Sequence, residues 1–268
     1  MTMNTKLPET KKAFIVAILI MANLIFAEVN AVQASKDNPK INAEVRYKNC
    51  LLTVDTNAKK AFDDASQWAG LDGGLPARHC QAAALMALGQ FKEAAIRLEQ
   101  LAISKIASVF IQTDLLAQAA AAWGQVGNTK RADANLTAAL KLLPNDGQLL
   151  ISRAQVRALQ EDYPGALYDL NKVIRQQPSN AEAYAYRAST YRLMENFDAA
   201  MQDANTSLRY DLNNISALLE RGILKRLSKN DNGARQDWLR LIKIAPTSAE
   251  AESARKNIAT MDIRNPAQ

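Results

Sequence analysis

The stretch Ala181–Asn214, AEAYAYRASTYRLMENFDAAMQDANTSLRYDLNN, decides how the whole chain folds. Within it Tyr184, Ala188 and Tyr191 fall at i, i+4 and i+7, the spacing of one helix face. Ala200, Ala204 and Leu208 form a second series four residues apart, and Met194–Asn196 separates the two. The same 34-residue pattern stands in Thr113–Asp146, Gly147–Asn180 and Ile215–Ser248, without gaps. Stacked, the four windows agree by column. One column reads Ala120, Ala154, Ala188, Gly222; another reads Ala132, Ala166, Ala200, Ala234. A third reads Leu140, Ile174, Leu208, Ile242, and a fourth Pro144, Pro178, Leu212, Pro246. A fixed period of this length predicts a solenoid. Each window is a helix–turn–helix pair, closed by a proline that cannot extend the second helix. Small residues where the helices cross let the backbones approach. A lone pair cannot bury its apolar face, so neighbouring pairs must stack.

The repeat length, the small columns, the aromatic positions Tyr184, Tyr191 and Phe197 and the terminal prolines resemble the tetratricopeptide repeat (TPR) family over residues 113–248. The resemblance implies an all-α, right-handed solenoid of stacked antiparallel helix pairs. Upstream, Ala82, Leu85, Gly89, Phe91, Ala94, Leu98 and Leu101 place a further repeat at 75–112, with about four extra residues near its end. A less regular pair is expected within 35–74, with Ala58, Phe62 and Ala65 on its second helix. The repeats then run 75–112, 113–146, 147–180, 181–214 and 215–248. Residues 247–268 form a capping helix and tail, with Ala254, Ile258 and Met261 apolar and the rest rich in charge.

Residues 1–34 read as a secretory signal peptide. Lys6, Lys11 and Lys12 precede the largely apolar run Ala13–Ala27, and the small-residue site ends at Ala34, with Ala31 as a second cleavage option. The run has 15 residues, short of the roughly 20 a membrane-spanning helix needs. The alternative is an uncleaved anchor that tethers the solenoid as a structural spacer, the one case in which a membrane is a partner. A cleaved leader implies a periplasmic or secreted protein. In an oxidising compartment Cys50 and Cys80, the only two cysteines, are expected to form a disulfide between the first helices of neighbouring pairs. Two buried thiols are the alternative.

One departure from the family pattern concerns charge. Arg153, Arg187 and Arg221 stand at a position that is usually aliphatic, and Asp169, Asp203 and Asp237 follow each by sixteen residues. The 113–146 window has Ala119 and Asn135 instead. Residues that appear and vanish together are expected to pair, here as structural Arg–Asp rungs between the two helices of a repeat. A basic stripe for an acidic partner is the functional alternative.

Catalytic chemistry finds no support. The single histidine, His79, is expected on the surface or in the groove. Zinc needs three or four ligands, and no Cys/His cluster supplies them. Glycine-rich phosphate loops and Ser/His/Asp sets are missing too. Asp63–Asp64 and Glu161–Asp162 lie beside helix ends, where solvent or the helix dipole accounts for them. The formal charge of +6 is interspersed, without a run of five like charges, so nucleic acid is a poor partner. The expectation is therefore a non-enzyme without metal, cofactor or small-molecule substrate, acting as an interaction scaffold for a protein or peptide of the cell envelope.

The resemblance further implies that first helices line a concave groove. Projected by column, that groove takes Gln148, Ile151, Gln155, Glu182, Ala185, Ser189, Arg192, Leu219, Ile223 and Arg226. The mixture of apolar residues with two arginines suits an extended or helical peptide with apolar side chains and some acidic character.

Overall fold

A computed structural model describes residues 39–104 and 107–264. The leader and its cleavage sites lie outside the described residues. Among those described there are thirteen α-helices and no strand. In chain order they are α1 (Pro39–Thr56), α2 (Ala58–Gly70), α3 (Gly74–Ala87), α4 (Phe91–Ala102), α5 (Val109–Gln125), α6 (Thr129–Leu142) and α7 (Gly147–Leu159). They continue as α8 (Tyr163–Gln176), α9 (Ala181–Leu193), α10 (Phe197–Tyr210), α11 (Ile215–Leu227), α12 (Asp231–Ile244) and α13 (Ala249–Arg264). The chain falls into two compact units that divide at Leu149/Leu150.

Helix ends repeat as faithfully as helix faces. Asn128, Asp162, Asn196 and Asn230, each 34 apart, accept a backbone N–H three residues on and so cap α6, α8, α10 and α12. The residue before each cap, Gly127, Glu161, Glu195 or Lys229, has φ between 59° and 73°. That left-handed residue closes the preceding first helix. The cap residue's own N–H then donates to a carbonyl five back, as in Asn196 N to Tyr191 O at 2.8 Å. Gly89, at φ 75°, heads the same motif before α4, where Gln90 N donates to Leu85 O at 2.9 Å. From Gly89 to Gly127 the interval is four residues longer than the repeat. Part of the difference is a longer first helix, since α5 starts at Val109, ahead of the Thr113 window boundary, behind the N-cap Ser108.

The 39–149 unit buries Tyr47, Val54, Ala61, Ala65 and Trp68 against Ala77, Cys80 and Ala84, joining α1, α2 and α3. Cys50 and Cys80 are disulfide-bonded, with Cα atoms 6.3 Å apart, tying α1 to α3. A second cluster, Ala82, Leu98, Leu101 and Leu115 among others, joins α3, α4 and α5. The 150–264 unit is centred on Trp238, with Leu208, Leu218, Leu241, Ala251 and Met261 around it. There α13 supplies the last apolar face, burying Ala251, Ala254 and Met261, while Glu252 and Lys256 pair on its solvent side.

Gly222 shows why that column must stay small. A Cβ there would sit 2.2 Å from the Trp238 indole nitrogen. The other windows carry Leu136, Leu170 and Ala204 at the tryptophan position. The bulkiest residue on one helix is met by the smallest on its partner.

Candidate binding surface

The arginines at the usually aliphatic position are spent inside the stack. Arg153 donates from Nε and Nη2 to the two oxygens of Asp169, both at 2.8 Å. Arg187 does the same to Asp203 at 2.6 and 2.8 Å, and Arg221 to Asp237 at 2.8 and 2.6 Å. All three aspartates are buried. The third nitrogen of each later fork reaches the preceding repeat. Arg187 Nη1 donates to Asn171 Oδ1 at 2.6 Å, and Arg221 Nη1 to Asn205 Oδ1 at 3.2 Å. Asn171 and Asn205 are themselves 34 apart, a column the sequence reading missed. Hydrogen bonding to Asp203 holds the Arg187 guanidinium above its ordinary pKa. Extra cations join two rungs: Arg157 at 3.0 Å from Asp169 and Lys225 at 2.8 Å from Asp237.

Where the rung is absent, another anchor replaces it. Glu99 of α4 accepts from Trp123 Nε1 and Asn135 Nδ2, each at 2.7 Å, and pairs with Arg131. The Arg131 guanidinium lies 4.0 Å from the Trp123 ring centroid.

His79 is not on the surface or in a groove; it is buried at 1 % exposure. Its Nδ1 is 2.6 Å from the Tyr47 hydroxyl and its Nε2 is 2.9 Å from Gln118 Oε1. Gln118 Nε2 donates in turn to Asp114 Oδ2 at 2.7 Å. The relay crosses α1, α3 and α5, successive first helices. A helix packed on both flanks inside a stack has no free side there, which periodicity within one helix could not reveal. Burial lowers the His79 pKa, against the pull of Gln118 and Asp114. Burial raises that of Asp114 and pushes the Tyr47 hydroxyl up.

The ten residues projected onto the groove separate into three groups. Ile151 and Ala185 are core residues, each 1 % exposed, whereas Leu219 of the same column is half-buried. Arg192 and Arg226 are engaged by protein. Arg192 Nε donates to Glu220 Oε2 at 2.5 Å, joining α9 to α11, and Arg226 Nη1 donates to the Asn257 carbonyl of α13 at 3.1 Å. Glu220 lay outside the sequence reading, and it neutralises one of the two charges assigned to acidic partners, that of Arg192. The rest remain accessible: Gln148 is exposed, and Gln155, Glu182, Ser189, Leu219 and Ile223 are half-buried.

Within the 150–264 unit Gln155, Ala158, Leu159, Tyr186, Ser189 and Leu193 line a cavity of ≈ 210 Å³ on the first-helix side. Its walls are chiefly apolar, and Gln155, Tyr186 and Ser189 supply polar atoms. Burial and the charges of Glu182 and Glu250 push the Tyr186 hydroxyl up to about 12, so it stays a neutral hydrogen-bonding group. Two exposed leucines line it, Leu159 at 74 % and Leu193 at 41 %, and Leu227, 55 % exposed, holds the same repeat position one window on. Three leucines at the same repeat position, all left in solvent, are not needed for packing. Their 34-residue spacing was present in the sequence.

Stacked helix pairs with this repeat length, these caps and these crossings define a tetratricopeptide-repeat fold, an α-solenoid. Solved structures show the same architecture. A tetratricopeptide repeat protein from Parabacteroides merdae superposes with a TM-score of 0.65 over 92 % of this chain and 92 % of its own, at 15 % identity. The Cut9–Hcn1 hetero-tetramer of the APC/C gives 0.58 at 16 % identity, over 93 % of this chain and 47 % of that one. MamA of Desulfovibrio magneticus RS-1 gives 0.52 at 18 % identity, over 65 % and 97 %. No family model and no curated protein matches the sequence. Among the described residues no group of three or more His, Cys, Asp or Glu is placed to hold a metal, and no helix is long and apolar enough to cross a membrane.

Proposed function

We propose that the protein is a non-catalytic scaffold of the cell envelope that binds a partner segment along its first-helix face. The observation that carries this reading is the unpacked leucine column Leu159, Leu193 and Leu227, whose first two members line the Gln155–Tyr186–Ser189 cavity. Apolar side chains in register with the repeat suit a partner that runs across successive pairs and buries one apolar residue per step. Neutral hydrogen-bonding groups next to them suit a peptide backbone. Arg192 is tied to Glu220 while Arg226 meets only a backbone carbonyl, so the acidic preference weakens at this face and the apolar preference leads.

Photo-crosslinker placed at Ser189, with Tyr168 on a second helix as control position, tests the site in intact cells. A defined adduct from Ser189, lost in a Leu159→Lys/Leu193→Lys variant and absent from Tyr168, is the expected result. Adducts from Tyr168 alone would move the function off this face.

The envelope assignment rests on the leader at 1–34 and on the Cys50–Cys80 disulfide, a bond that oxidising compartments maintain. Mass determination of the N-terminus in cells checks it. A chain that starts after Ala34 or Ala31 supports export with cleavage, whereas a retained Ala13–Ala27 segment makes the protein a tethered spacer.

A further inference from the structure

A second cavity lies on the opposite, second-helix side of the 150–264 unit. It measures ≈ 720 Å³ and is lined by Leu208 and Arg209 of α10, Leu212 of the turn after it, Arg221 of α11 and Arg240 of α12, among others. That volume is in the range of ligand-holding clefts, roughly 300–1,000 Å³. Three guanidinium groups border it, in different states. Arg221 is consumed by Asp237 and Asn205. Arg209 donates only to Thr206 Oγ1 at 3.0 Å, and Arg240 only to Asn213 Oδ1 at 3.3 Å. Among the described residues neither Arg209 nor Arg240 meets a carboxylate. Leu212, which lines the same cavity, stands 63 % exposed.

The repeat shows which of these residues the fold requires. Arg209 belongs to a column with Arg175 and Lys243, in the last turn of each second helix, where the helix dipole favours a cation. Arg240 stands in a variable column with Ala138, Lys172 and Thr206, outside the last helical turn, so the dipole does not account for it. Leu212 replaces the helix-closing proline found at 144, 178 and 246. That departure and the exposed Arg240 line the same cavity. Packing explains neither.

We propose that this cavity is a second docking site, for an acidic segment of a partner protein in which Asp or Glu sits beside an apolar side chain. Arg209 and Arg240 hold the carboxylates through paired N–H donors, the geometry for which a guanidinium is suited. Leu212, exposed in the same lining as the buried Leu208, takes the apolar neighbour. The site is independent of the first-helix face and would survive the failure of that assignment.

The test is an NMR titration of the full chain, following the Nε–H signals of Arg209 and Arg240 and the methyls of Leu212. The probes are a dodecapeptide of alternating Glu and Leu, the matching Gln–Leu peptide, and inorganic phosphate. The expected result is saturable shifts at all three residues with the Glu–Leu peptide alone. Arg240→Ala should weaken binding at least tenfold while Arg175→Ala leaves it within twofold. Arg209→Ala serves as the second variant should Arg240→Ala unfold. Equal shifts with phosphate would reduce the cavity to a simple anion site, and equal shifts with Gln–Leu peptide would remove the charge recognition. No saturable shift, or one that both arginine variants retain, would overturn the proposal outright.

Discussion

At the scale of the residue, two side chains carry consequences out of proportion to their number. Gly222 leaves room for Trp238, whose indole nitrogen would lie 2.2 Å from an added Cβ. Gly222→Ala is therefore expected to destabilise the fold by about 1–3 kcal/mol, the range for overpacking a core, although alanine is the better helix former. Urea unfolding measures it, and Gly222→Ala/Trp238→Leu should recover part of the loss. His79 is the only histidine, so no other imidazole titrates with it. Its folded pKa lies below the unfolded value because burial disfavours the cation. The unfolded chain then binds the proton first as pH falls through about 6.5. Stability is full above that value and declines below it. Urea midpoints at pH 7 and pH 5.5 should differ in the wild type, and His79→Gln should narrow the difference. The other charged group facing this relay, Asp114, shifts upward through burial and acts on stability in the opposite sense.

At the scale of the element, the Arg–Asp rungs bind one helix to the next. Asp203 is buried, and its fork with Arg187 satisfies both groups. Asp203→Ala strands a half-buried guanidinium and is expected to cost about 3–5 kcal/mol. Replacing both partners with leucine should cost far less, since the desolvation penalty disappears with the charges. A double-mutant cycle read by urea unfolding separates the two terms. The sequence carried the clue for these rungs, a spacing of sixteen and joint absence from the 113–146 window. The substitute in that window, Glu99 from the previous pair, carried no comparable clue. Its partners Trp123, Arg131 and Asn135 lie 24 to 36 residues away with no repeated counterpart. Arg192 misled for the same reason, because its neutralising Glu220 is unique to one window.

At the scale of the whole molecule, stability accrues pair by pair, with each repeat leaning on its neighbours. The least regular part of the chain, ahead of Gly74, gains a covalent link instead. Cys50 and Cys80 are 30 residues apart, a loop whose closure is worth about 3–4 kcal/mol on the chain-entropy account. Cys50→Ala/Cys80→Ala should lower the denaturation midpoint by a matching amount. If unfolding proceeds in stages, the lost stability should appear in the transition of the 39–149 unit alone.

The sequence by itself determined the class of fold, the pairing of helices and the small residues at their crossings. All of these are local or recur every 34 residues, so a single chain displays them as columns. Tertiary structure decided which faces of those helices meet solvent. It buried Ile151, Ala185 and His79, neutralised Arg192, and left Leu159, Leu193, Leu227, Arg209 and Arg240 open. Exposure in a stack depends on the neighbouring pair, and a periodic pattern within one helix holds no information about what the next pair covers.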